Sequence, residues 1–116
     1  MKLIINADDF GMSKSVTDGI VDGILAGAIT STTIMANMEW TDYAIKQALK
    51  NNIKCVGLHI NLTVGKPLTK CPSLCKQGGI FIYGKEQQEN KNAAENEVRA
   101  EILAQLNFVN SAGGGR

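Results

Sequence analysis

Two carboxylates stand side by side in Asn6-Ala7-Asp8-Asp9-Phe10-Gly11, directly after the apolar run Leu3-Ile4-Ile5. The only histidine of the sequence, His59, follows a second apolar stretch, Val56-Gly57-Leu58. Carboxylate and imidazole together suit a divalent ion such as zinc, manganese or iron, whereas magnesium favours oxygen ligands. A second carboxylate beside such an ion could take a proton from water, whose pKa the ion lowers. Both features also have plainer readings. Paired aspartates after a strand can form a solvated turn that caps the next helix, and a histidine at a strand end can be structural. Cys71-x3-Cys75, with Cys55 or His59, is a weaker zinc candidate, because the spacing is not the usual x2, Pro72 intervenes and no second pair exists. Free loop thiols account for these cysteines better, and their odd count argues against a disulfide framework. There is no Gly-x-Gly-x-x-Gly, phosphate loop or Gly-x-Ser-x-Gly elbow.

The elements that would position these residues can be read from periodicity. Contiguous Leu3, Ile4 and Ile5 predict a buried strand over residues 2–8, as in a parallel sheet covered on both faces. Ser13 or Ser15 can cap the following helix, and Ser15 with Asp18 resembles a capping box. Val16, Ile20, Val21, Ile24, Leu25 and Ala28 share one stripe of that helix. A β-branched strand over 30–36, a helix over about 41–51 and a strand over 54–61 complete a β-α-β-α-β order. That alternation implies parallel strands with right-handed crossovers. In such units site residues gather where the strands end, which places Asp8-Asp9, Asn37 and His59 on one sheet edge. Residues 63–87 break the pattern, with Ile80 to Tyr83 as a short strand or hairpin arm. A last helix over about 92–109 presents Val98, Ile102, Leu103, Leu106 and Val109, and Ser111 to Arg116 read as its stop.

Bulk properties narrow the functional classes. The 116 residues are enough for a single small domain, 1–116. The formal net charge is +1 and no basic run carries interleaved aromatics, so neither a nucleic-acid nor a membrane partner is expected. Apolar runs fall far short of the roughly 20 residues of a membrane span, and the start of the chain does not fit a signal peptide, so a cytoplasmic location is expected. Asn61-Leu62-Thr63 fits the glycosylation pattern only by accident under that expectation. Trp40 could line a sugar cleft or staple the helix that follows it, and the staple is the preferred reading.

The motifs NADDFGMS, TSTTIMAN and VGLHINLTVGKPL resemble, in order and spacing, the opening motifs of the YdjC-like carbohydrate deacetylases, the family that includes the chitooligosaccharide deacetylases. The resemblance covers about residues 3–110, and PSLCKQGGIFIY is similar to the segment after the family's His motif. It implies an α/β fold, a distorted (β/α) barrel related to the polysaccharide deacetylases. It implies metal-dependent removal of N-acetyl groups from mono- or oligosaccharides, with a divalent ion, magnesium or zinc, and a homodimer. By the same resemblance Asp8 is the general base, and Asp9 and His59 are metal ligands. Family members run to about twice this length, as a whole barrel would, and a later His-rich segment supplies a third ligand and an acid. The resemblance therefore implies the N-terminal half of a deacetylase, incomplete as a catalyst. An inactive sugar-binding or self-associating β/α module and a metal-dependent phosphoesterase are the alternatives.

Overall fold

The computed structural model describes residues 2–112. Strand β1 (Asn6–Phe10), helix α1 (Lys14–Leu25), strand β2 (Ser31–Ile34), helix α2 (Thr41–Lys50) and strand β3 (Val56–Leu58) follow in that order. The strands form a parallel sheet ordered β1-β2-β3, as the alternating pattern predicts. Phe10, Ile20, Val21, Ile34 and Ala44 make the buried core, with Ala7, Ile24, Ile45, Val56 and Val109 packed against it.

Strand β1 begins at Asn6, and Leu3, Ile4 and Ile5 are exposed rather than buried. The reason is topological: β1 is an edge of this sheet, and the stretch before Asn6 is tied to β2's approach through Ile5, which bonds to Thr30 and Ser31. The capping box is also absent. Ser13 caps α1, accepting from the Val16 amide at 3.2 Å. Asp18 bonds instead to Lys14 Nζ at 2.8 Å and to the Tyr43 hydroxyl at 2.6 Å. The Lys14 ammonium, then the Tyr43 hydroxyl, hold that carboxyl below its ordinary range.

Residues 63–94 are less irregular than their composition suggests. A 3₁₀ turn (Pro72–Leu74) leads into an antiparallel pair, β4 (Cys75–Lys76) with β5 (Ile80–Phe81), and then short helix α3 (Gly84–Gln88). Cys71, Leu74 and Phe81 form a second small core there, with Leu62 and Val98 against it.

Helix α4 (Glu95–Ala112) occupies the predicted place and packs by only part of the predicted face. Val98, Ile102 and Val109 are half-buried, while Leu103 and Leu106 are exposed. Its fully buried residues are Glu101 and Gln105. Gln105 grips the backbone of Asn61, accepting from its N–H at 3.0 Å and donating to its carbonyl at 2.7 Å. Glu101 accepts from the Leu68 and Thr69 amides and from the Thr69 hydroxyl. A buried carboxylate is tolerable only when hydrogen-bonded in this way. The stop expected from Ser111 onward is corrected at its first two residues, since α4 runs through Ser111 and Ala112, and residues 113–116 lie outside the described residues.

Candidate functional site

The site grows from an irregularity in β1. Ala7 pairs with Thr32 and Phe10 with Ile34, so three steps along β1 match two along β2. The extra residue is a β-bulge at Asp8-Asp9, a device that re-aims side chains. In a regular strand Ala7 and Phe10 would face opposite sides, yet both belong to the same core. Asp9 absorbs the distortion with φ 72°, in the left-handed region where aspartate is among the more tolerant residues. Gly11 follows at φ 94°, and a Cβ there would lie 3.3 Å from Thr41 Cα, so the turn needs glycine on both counts. The Gly11 amide is anchored to the buried Thr17 hydroxyl at 3.1 Å, which ties α1 to the end of β1.

Asp8 keeps the face of Asn6. Its Oδ1 accepts from Asn6 Nδ2 at 3.0 Å and from the Thr33 hydroxyl at 3.1 Å. Asn6 is itself held by Ser31, whose hydroxyl donates to Asn6 Oδ1 at 2.7 Å. Asp9 turns the other way, toward β3. Its Oδ1 lies 3.2 Å from His59 Nδ1, and its amide lies 3.3 Å from the same nitrogen. His59 continues the β2–β3 ladder, its amide donating to the Ile34 carbonyl at 2.8 Å. The Asp9 and His59 side chains are 40% and 32% exposed, open enough for a ligand to reach them.

Those contacts bear on whether the pair fits a divalent ion. The Asp9 carboxylate oxygen and His59 Nδ1 face each other, so a cation between them would be held by both. Two ligands about 2.0–2.2 Å from one ion lie about 3.0–3.4 Å apart at ordinary coordination angles, and 3.2 Å falls within that span. The pair therefore fits as two ligands. Among the described residues no group of three His, Cys, Asp or Glu side chains comes together to complete a cage.

The remaining candidates separate from this edge. Asn37 stands after β2, but its Nδ2 donates to the Val64 and Lys66 carbonyls and its Oδ1 accepts from Asn61 Nδ2. It shapes the loop after His59. Asn61 is buried, with its side-chain amide also donating to the Val64 carbonyl, so its Nδ2 is committed internally. Trp40 is the N-cap of α2 and packs edge-on against Tyr43, at 5.4 Å between centroids, which differs from the N′-to-N4 pairing of a staple. Cys55 is exposed, and Cys71 and Cys75 lie together in the second small core and its margin. Sequence reasoning missed Asn6 and Thr33, the two residues that hold Asp8. Asn6 was legible in principle, since strand alternation puts it on the face of Asp8.

Fold and site together define an α/β protein of parallel β-α-β units, with its carboxylate pair and histidine where the strands end. The chain belongs to the YdjC-like protein family, whose model matches residues 2–115. It is 41% identical over 107 residues to a carbohydrate deacetylase of Clostridium beijerinckii, covering 91% of this chain and 43% of that protein. It is 42% identical over 114 residues to a carbohydrate deacetylase of Brevibacillus brevis, covering 97% of this chain and 45% of that one. A crystal structure from Enterococcus faecalis V583, described as a cellobiose-phosphate cleavage protein, superposes with a TM-score of 0.86 at 32% identity, over 95% of this chain and 44% of that one. The chain thus spans under half the length of these relatives.

Proposed function

We propose that this chain carries part of the active centre of a metal-dependent carbohydrate deacetylase, which hydrolyses an N-acetyl group of a mono- or oligosaccharide to amine and acetate. The observation that supports it most is the facing pair Asp9 and His59 beside Asp8, in a family whose curated relatives are carbohydrate deacetylases. Asp9 and His59 would hold the divalent ion, zinc by ligand softness or magnesium. When bound, that ion would supply Lewis acidity to the acetyl carbonyl and to water. Asp8 would accept the proton of the attacking water. Asn6 and Thr33 donate to one oxygen of Asp8, which orients the carboxylate. The attack forms a carbon–oxygen bond, and the carbon–nitrogen bond then breaks with a proton delivered to the amine. The complete fold would be a distorted (β/α) barrel, and the chain would self-associate as a homodimer.

Two ligands are fewer than the three typical of a catalytic zinc site, so residues 1–116 taken alone should release acetate poorly. The test is acetate release from N-acetylated chitooligosaccharides with zinc, magnesium, manganese or cobalt added. Low turnover that requires the ion and disappears in Asp8→Asn and His59→Ala is expected. Turnover that survives His59→Ala would overturn the metal role of that residue.

A further inference from the structure

We propose that Cys71 and Cys75 form a thiol pair that a low-molecular-weight disulfide such as oxidised glutathione converts to an intramolecular disulfide, stapling the turn before β4. The two Sγ atoms lie 4.0 Å apart. A disulfide brings them to about 2.05 Å, so closure needs an approach of about 2 Å. The backbone between them is already folded back. The Leu74 amide donates to the Cys71 carbonyl at 2.9 Å, and the Cys75 amide donates to the Pro72 carbonyl. Cys55, the remaining cysteine, is exposed and lies just before β3.

The two thiols differ in a way that orders the chemistry. Cys75 is partly exposed, whereas Cys71 is 2% exposed and packs with Leu74 and Phe81. Burial, reinforced by Cys75 beside it, pushes the Cys71 thiol up to about 12. Exchange begins with a thiolate, so Cys75 is the group that starts it. Cys75 loses its proton and attacks one sulfur of oxidised glutathione, releasing one glutathione thiolate and forming a mixed disulfide. Cys71 then loses its proton and attacks the Cys75 sulfur, releasing the second. Two protein thiols are oxidised and one small disulfide is reduced to two thiols. Closure gives up the contact of the Cys71 thiol with the Thr69 carbonyl, which is long at 3.8 Å.

The staple acts near the candidate site. On its N-terminal side Thr69 is clamped by Glu101. On its C-terminal side the Phe81 amide donates to the Gly65 carbonyl at 2.9 Å. Asn37 holds the Val64 and Lys66 carbonyls on either side of Gly65. Joining Cys71 to Cys75 therefore restrains the segment that follows His59.

Peptide mapping of the whole chain tests this directly. Trypsin cuts after Lys70 and Lys76, so the peptide Cys71-Pro72-Ser73-Leu74-Cys75-Lys76 carries both thiols and excludes Cys55. The folded protein is incubated with oxidised glutathione, alkylated without reductant, digested and weighed. The expected product is that peptide unalkylated and lighter by about 2 Da, the loss of two hydrogens, preceded by a glutathione adduct on Cys75. In Cys75→Ser the lighter peptide should vanish. A peptide that stays doubly alkylated, or stops at the glutathione adduct, would overturn the proposal.

Discussion

At the scale of single residues, Asp9 combines two demands that conflict. Its side chain must reach across to His59, and its backbone must accept φ 72° to do so. A non-glycine residue held there costs on the order of 1–2 kcal/mol. Glycine would relieve that cost and alanine would not. Asp9→Gly is therefore expected to be more stable than Asp9→Ala by about 1 kcal/mol in urea unfolding, with both variants losing the ligand equally. Equal stability of the two would mean that the left-handed backbone stores no strain. The types Asp8, Asp9 and His59 were legible in the sequence because strand ends collect polar residues. The bulge that points Asp8 and Asp9 in different directions was not legible. It is set by the pairing of β1 with β2, which puts both Ala7 and Phe10 into the core.

At the scale of elements, α1, α2, β2 and β3 follow from their periodicity, β1 starts later than its apolar run predicts, and α4 follows its stripe only in part. Of its predicted stripe Val98, Ile102 and Val109 are half-buried, whereas Leu103 and Leu106 are exposed. Gln105 and Glu101 also seat the helix, reaching the backbone on either side of the segment after β3. Pattern reading treats Glu and Gln as solvent-facing, so only the tertiary partners reveal this docking. Gln105→Ala leaves the Asn61 amide and carbonyl without their partner, and each orphaned group costs about 1–3 kcal/mol. The expected loss is about 2–6 kcal/mol of unfolding free energy, measured in urea. A loss below that range would mean that water replaces the side chain. The hairpin of β4 and β5 is half-legible: Ile80 to Tyr83 read as one arm, but the Cys75–Lys76 arm lacks apolar alternation.

At the scale of the whole molecule, the parallel sheet has open edges at β1 and β3, and apolar residues stand exposed beside them. Leu3 and Ile4 precede β1, and Ile60 follows β3. Unpaired edges and exposed apolar surface favour association. Light scattering is expected to show a mass above that of the 12.4 kDa chain as concentration rises, and a monodisperse monomer throughout would contradict the proposed dimer. No helix among the described residues is long and apolar enough to cross a membrane. The β/α character of the chain came through its sequence, whereas the barrel inferred by resemblance exceeds what one three-stranded sheet displays. Calorimetric titration of the folded chain with zinc measures directly whether Asp9 and His59 share one divalent ion, as proposed. One weakly bound equivalent is expected. Asp9→Ala and His59→Ala should each weaken it beyond the roughly 10–100-fold typical of losing an outer-shell partner, while Asp8→Asn should retain it. Zinc binding that is unchanged in both Asp9→Ala and His59→Ala would contradict the account.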